Sequence, residues 1–258
     1  MKLKLRFPKD VTVESEFHRV LGILAATGVN YPPGYEEEVI SKYKQAGVRY
    51  PRILQRMGDP NIRKHAHYQE ILQMQNNLLD YGCGTADDIR ALVADGYPAE
   101  KIVGYDVNWD CINLGFDLYL DRETLGIQFV VDSGFPFQPS SFDIIYSGSV
   151  LHVLITKRAI RQYISNVFAT LNAGGIFFGS TLGFGKDIQK RDKDEQMPRE
   201  WQHRRRRRWR WLRWLARRVT FLTEDGLQKL LSEMGFTDTE ILLDDTFRRL
   251  WFFARKPL

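Results

Sequence analysis

Two rhythms of apolar positions divide the chain. Over residues 14–26 the apolar side chains fall at Phe17, Val20, Leu21 and Leu24, the three-and-four spacing of a helix with one buried face. Residues 35–46 and 62–75 carry similar helical spacing. The breaks between these stretches are Asn30-Tyr31-Pro32-Pro33-Gly34, Tyr50-Pro51 and Gly58-Asp59-Pro60. From residue 77 onward short apolar runs alternate with helical stretches. Strands are predicted at 77–81, 102–106, 128–131, 142–147, 175–183, 240–243 and 248–254, and helices at 87–94, 111–120, 157–171 and 224–234. That alternation predicts a mostly parallel sheet covered by helices on both faces. The last two strands are joined only by residues 244–247, too few for a crossover, so the final strand is expected to run antiparallel. The expected organisation is a helical N-terminal cap over 1–75 and one α/β domain over 76–258.

The most informative stretch is Leu78-Leu79-Asp80-Tyr81-Gly82-Cys83-Gly84-Thr85-Ala86-Asp87, a buried strand running through a glycine turn into a helix. Gly82 permits the tight turn, and Gly84 leaves the backbone open to a ligand. This end of a parallel strand is where open α/β sheets bind ligands. A G-x-G pair alone is shared with dinucleotide-binding dehydrogenases, but the third glycine of that fingerprint is replaced by Asp87. Acidic residues at a helix start repel a pyrophosphate and suit a cation. S-adenosylmethionine, with its α-ammonium and sulfonium, is such a ligand, and Asp80 or Asp87 can accept from the ammonium. Asp106 ends the second strand roughly 20 residues past the glycines, the place of an acid that binds ribose hydroxyls. Val107 or Trp109 can pack on the adenine, and Asp132 or Ser133, ending the third strand, can receive its amino group.

Further blocks follow in order: Phe142-Asp143-Ile144-Ile145-Tyr146-Ser147, Leu171-Asn172-Ala173-Gly174-Gly175-Ile176-Phe177, and a late helix ending Gly235-Phe236. Together with the glycine turn and the two acid-ended strands, these resemble the motifs of class I S-adenosylmethionine-dependent methyltransferases over residues 77–183 and 221–256. The resemblance implies a Rossmann-like sheet of seven strands in the order 3-2-1-4-5-7-6, strand seven antiparallel. It also implies S-adenosylmethionine as cofactor, S-adenosylhomocysteine as product, and Cys83 and Ser147 as further cofactor contacts. A narrower likeness runs through Asp88, Arg90, Leu92, Val93, Asp95 and Gly96, then Asn113-Leu114-Gly115-Phe116-Asp117-Leu118. It is similar to fungal methyltransferases of meroterpenoid pathways, which esterify carboxylates of apolar natural products.

Methyl transfer from a sulfonium asks the protein mostly for proximity and orientation. A base is needed only where the nucleophile arrives protonated. After strand four stands Ser147-Gly148-Ser149-Val150-Leu151-His152, where His152 can serve as general base or hold the acceptor oxygen, or simply be a packed histidine. No Asn-Pro-Pro-Tyr-type sequence marks base methylation. No acidic and histidine cluster has metal-ligand spacing, so no metal is expected. Tyr31, Tyr50 and Arg52 of the N-terminal segment, and Trp211 further on, are the candidate substrate contacts.

Composition changes the picture in one place. The net charge is +5, yet residues 199–218 hold ten arginines and one glutamate, so the remainder is −4. A basic insertion is expected over 186–220. Its stretch 201–218 places Trp211, Trp214, Leu215 and Arg218 along one side if helical. A lid over an apolar substrate is the first reading, contact with an anionic membrane surface the second, and nucleic acid the third. The two cysteines, Cys83 and Cys111, make no disulfide framework, and no secretory leader is read in Met1–Arg6. The expected setting is cytoplasmic, with peripheral membrane contact as the variant. The expected activity is O-methylation of a small, largely apolar metabolite at a carboxylate or hydroxyl. RNA or protein methylation, or a cofactor-binding module without turnover, are the alternatives.

Overall fold

A computed structural model describes residues 12–46, 58–154, 156–184, 222–244 and 249–258. Its strands are β1 (Leu78–Tyr81), β2 (Ile102–Asp106), β3 (Gln128–Val131), β4 (Phe142–Gly148), β5 (Leu171–Phe184), β6 (Leu222–Thr223), β7 (Thr237–Asp244) and β8 (Arg249–Arg255). Its α-helices are α1 (Val13–Ala26), α2 (Tyr35–Ala46), α3 (Tyr68–Met74), α4 (Asp87–Ala94), α5 (Trp109–Tyr119), α6 (Lys157–Thr170) and α7 (Glu224–Glu233). The strand order is β3-β2-β1-β4-β5-β8-β7, with β6 off this path beside β5. This is the expected Rossmann-like order once the two-residue β6, which the sequence reading did not predict, is counted. The β5–β8 and β7–β8 pairs are antiparallel, as the short connection required.

The chain divides into two compact units: Met1–Gln75 with Gly82–Gly134, and Asn76–Tyr81 with Phe135–Leu258. In the first, α1 opens on a capping box, Thr12 and Ser15 each accepting the other's backbone N–H. Its apolar face, Phe17, Val20, Leu21 and Leu24, joins Val39 and Tyr43 of α2 and Leu114 and Leu118 of α5 in one buried cluster. The N-terminal helices are therefore docked on α5 by a shared core. Each such side chain contributes roughly 1.5–3 kcal/mol when fully buried. Strands β2 and β3 pair in parallel, with Phe129 against Phe116 of α5.

The predicted helix over 62–75 is interrupted. A single 3-10 turn, Ile62–Lys64, is followed by extended backbone at His65 and only then by α3. The His65 imidazole accepts the His67 backbone N–H at 3.2 Å, a side chain competing for a donor that a continuous helix would use.

In the second unit β1, β4 and β5 run parallel, and β8 and β7 close the edge. Helix α6 is capped by Thr156 and buries Ile160, Tyr163, Ile164 and Val167. Helix α7 is capped by Thr223. Phe236, just past it, packs on Phe168 and Phe177, and Phe177 on Phe252.

Candidate active site

The glycine turn is built from backbone. The N–H groups of Gly82 and Cys83 both donate to the Tyr105 carbonyl, at 2.7 and 3.0 Å, so the turn hangs on the last stretch of β2. Gly82 and Gly84 have φ of 92° and 57°, the left-handed region that side chains disfavour. One residue further along β2, Asp106 takes the Gly84 N–H on Oδ2 and the Asn108 N–H on Oδ1, both at 2.9 Å. A carboxylate offers about four lone-pair sites, so each oxygen retains capacity for a ribose hydroxyl. Burial raises the Asp106 carboxyl above its ordinary range, and the N–H groups of Gly84, Asn108 and Val107 pull it partly back.

Around Asp106 lies an apolar surface. Val107 is 66% exposed, Trp109 45% and Val131 39%, three large hydrophobic side chains at the carboxyl ends of β2 and β3. Asp132 and Ser133 follow at the end of β3. The Asp132 carbonyl accepts the Tyr105 hydroxyl at 2.7 Å, and its carboxylate the Gly134 N–H at 2.6 Å. A turn with glycine on either side of Cys83, a carboxylate with spare acceptors and exposed apolar surface fit an adenosine bearing a cationic tail. Within the first unit the Gly84 N–H meets Asp106, and β2 and β3 pair so that Asp106 lies beside Val131, next to Asp132 and Ser133.

Asp87 is more engaged than the sequence reading allowed. It accepts the Thr85 hydroxyl on Oδ2 and the Tyr119 hydroxyl on Oδ1, the latter at 2.6 Å. Burial, then the Asp87 charge, pushes the Tyr119 phenol well above its usual range, so it stays a donor. Asp87 therefore ties the start of α4 to the end of α5. Arg90, 6% exposed, clamps Asp121 and also donates to the Thr85 carbonyl. Tyr31 donates its hydroxyl to the Leu118 carbonyl and stacks on Tyr35, a packing position on α5.

In the second unit, Asp80 is 2% exposed on β1. Ser147 is fully buried, its Oγ 2.8 Å from the Tyr163 hydroxyl, which also donates to the Tyr81 carbonyl at 2.7 Å. A side chain so placed braces β4 and offers a ligand only the backbone. Beyond β4, Ser149 adopts φ +66°, uncommon for a residue with a Cβ, and donates its N–H to the Ser180 carbonyl at 2.7 Å. Arg249 bonds Ser149 Oγ at 3.2 Å and Ser180 Oγ at 2.8 Å. His152 lies on the 3-10 turn Leu151–Val153, its Nδ1 3.3 Å from Thr181 Oγ1 and 3.4 Å from the Leu182 nitrogen. Tyr50, Arg52 and Trp211, with the whole 201–218 stretch, lie outside the described residues. Among the described residues no group of three or more His, Cys, Asp or Glu is placed to hold a metal ion.

The sequence reading did not single out Asn108, Tyr119, Thr181 or Arg249. Asn108 carried a signal, since an asparagine before a helical run reads as an N-cap, and here it accepts the Asp110 N–H. The others are long-range partners with no local signature.

The strand order, the glycine turn and Asp106 at the end of β2 define a class I S-adenosylmethionine-dependent methyltransferase fold. The family model described as a methyltransferase domain matches residues 42–241, and the chain belongs to that family. It is 33% identical over 110 residues to the O-methyltransferase atr3 of Stereocaulon alpinum, covering 40% of this chain and 28% of that protein. It is also 33% identical over 105 residues to the Asnovolin E/Chermesin D methyltransferase nvfJ of Aspergillus novofumigatus, covering 37% of this chain and 38% of that protein. The matched stretches span well under half the length of these relatives. Among solved structures, a CurJ carbon methyltransferase superposes with a TM-score of 0.55 at 14% identity, over 95% of this chain and 68% of that one, a likeness of fold.

Proposed function

We propose that the chain is a working enzyme that moves the methyl group of S-adenosylmethionine to an oxygen, carboxylate or hydroxyl, of a small and largely apolar metabolite. The observation that carries this reading is the placing of His152 directly after β4, at the carboxyl end where parallel sheets present their chemistry. Asp106, with Val107, Trp109 and Val131 beside it, supports the cofactor half of the reading. When bound, S-adenosylmethionine supplies an activated methyl carbon. Gly82–Gly84 would face its tail, Asp106 its ribose, and Val107 or Trp109 its adenine. The name of atr3 supports transfer to oxygen, and that of nvfJ, which names asnovolin E and chermesin D, supports a small-molecule acceptor. The Arg- and Trp-rich stretch 201–218 is read as cover for that acceptor, and a cytoplasmic setting belongs to the same proposal.

The test is incubation with methyl-labelled S-adenosylmethionine and separate metabolite, RNA and protein fractions. Label in the metabolite fraction is expected. Label confined to RNA or protein would overturn the substrate reading. Firm S-adenosylhomocysteine binding with no transfer to any fraction would point to a binding module without turnover.

A further inference from the structure

The segment that follows β4 is fastened at two points. At the first, Ser149 sits at φ +66°, a conformation that a residue with a Cβ keeps only where its surroundings hold it. Its N–H donates to the Ser180 carbonyl at 2.7 Å. Arg249 Nη1 donates to Ser149 Oγ at 3.2 Å and to the fully buried Ser180 Oγ at 2.8 Å. At the second, His152 Nδ1 stands 3.3 Å from Thr181 Oγ1 and 3.4 Å from the Leu182 nitrogen. Ser180, Thr181 and Leu182 are consecutive on β5, so one strand end holds both ends of the segment 149–152.

The sheet register shows how Arg249 reaches that point. On β8, Arg249 pairs with Leu182 and Trp251 with Ser180. Paired residues, and residues two apart along a strand, share a face, so these four side chains stand on one side of the sheet. The guanidinium carbon lies 5.5 Å from the centre of the Trp251 ring, which draws the side chain toward the row of Ser180. Gly148 is the β4 partner of Ser180 in the same row, and Ser149 is the next residue.

We infer that Arg249 is a positioning residue for methyl transfer: by holding Ser149 in the left-handed conformation it sets the course of residues 149–152, and with it the place of His152 at the acceptor end. Its part is played through Ser149 and not on the reacting atoms. This rests on the proposed function, in which His152 meets the acceptor, and it applies to a carboxylate and a hydroxyl alike. Without the guanidinium, serine returns to right-handed or extended backbone, which it favours by roughly five- to a hundredfold. The Ser149 N–H then leaves the Ser180 carbonyl, and the segment loses the first of its two fastenings. A glycine at 149 takes φ +66° unaided and has no need of the arginine.

The experiment is amide hydrogen exchange of the full chain, read residue by residue by NMR. In Arg249→Met the protection factor of the residue 149 amide is expected to fall by about ten- to a hundredfold, beyond any change at Ile144 and Ile145, which gauge the stability of β4 itself. Adding Ser149→Gly to Arg249→Met is expected to restore most of that protection. If Arg249→Met does not fold, Ser149→Ala, which removes only the hydroxyl, is expected to show the same local loss. In transfer from methyl-labelled S-adenosylmethionine to a small-molecule extract, Arg249→Met is expected to lower the rate at saturating cofactor by about ten- to a hundredfold, as misplacement does, with the KM for S-adenosylmethionine unchanged. The double variant is expected to recover most of that rate. Unchanged protection in Arg249→Met, a double variant as open as the single one, or a loss of transfer that lies only in the cofactor KM overturns the inference. Calorimetry of the unaltered chain with S-adenosylhomocysteine tests the proposed function separately. No binding, or no label transferred by the unaltered chain, counts against that reading, and the exchange result then decides the role of Arg249.

Discussion

Arg90 grips Asp121 with two parallel bonds, Nε to Oδ2 at 2.7 Å and Nη2 to Oδ1 at 2.9 Å, while Nη1 holds the Thr85 carbonyl. The pair is largely buried, at 6% and 19% side-chain exposure. The guanidinium also lies over the rings of Phe116 and Tyr119. One side chain thus joins α4, the end of α5 and the loop that follows the glycine turn. Removing one partner of a buried pair strands the other charge, a loss of about 3–5 kcal/mol. Arg90→Met is expected to lower unfolding free energy by that order in denaturant titration, and to weaken S-adenosylhomocysteine binding by calorimetry because Thr85 is released. Unchanged stability would show that water replaces the pair.

Gly115 lies where α5 passes the same loop. A Cβ there would run into the Thr85 carbonyl and press on Arg90 Nη1. Gly115→Ala is therefore expected to destabilise, although alanine favours helices, by about 1–3 kcal/mol as overpacking does. The comparison is Gly22→Ala, whose Cβ meets nothing within 4 Å in α1 and which should gain about 0.5–1 kcal/mol. Thermal melts of the two variants should move in opposite directions.

If Asp106 holds the ribose as proposed, cofactor binding is expected to be sensitive to acid. Its carboxyl is raised, chiefly by burial. In the ligand-free protein that shift contributes stability at low pH, below the unfolded value, and the contribution is lost as pH rises through the folded value. Ribose hydroxyls donating to the carboxylate favour the ionised form, so S-adenosylhomocysteine affinity should fall as pH drops through the raised value. Asp106→Asn should flatten this dependence and weaken binding at neutral pH by roughly ten- to hundred-fold, the worth of a hydrogen bond to a charged group. Calorimetry across pH checks both, and an unchanged pH profile in the variant would place the titration elsewhere.

Tyr163 braces the second unit. Its hydroxyl joins the Tyr81 carbonyl to the buried Ser147, and its ring stacks on Tyr81 at 3.8 Å between centroids. Tyr163→Phe keeps the stack and loses both bonds, for an expected cost of about 1–3 kcal/mol. The double variant Tyr163→Phe with Ser147→Ala should recover part of that loss, which a double-mutant cycle measures.

Much of the frame was legible because it is local. Helices at 35–46 and 87–94 and strands at 102–106 and 128–131 stand where the apolar spacing placed them. The position of Asp106 at the end of β2 was legible because strand and glycine turn are both local patterns. The break at His65 was not, since a histidine accepting a backbone N–H leaves the apolar spacing of 62–75 intact. Nor was the bracing of the turn: Arg90 and Asp121 are 31 positions apart, and Tyr119 and Asp87 are 32. Such pairs are set by how α4 and α5 pack, which no local pattern encodes. Asp87, read as an acceptor for an ammonium, also takes the Thr85 and Tyr119 hydroxyls, a link the sequence did not announce.

The two-handed grip of Asp106 on Gly84 and Asn108 has a kinetic consequence. The loop that would embrace the adenosine is already in shape without a ligand, because the carboxylate proposed to meet the ribose also orders the backbone around it. Preorganisation of this kind spares the complex the entropy of fixing a floppy segment. Association with the nucleoside should then behave as a docking onto a rigid ledge, with a rate set by encounter and orientation rather than by waiting for a loop to fold.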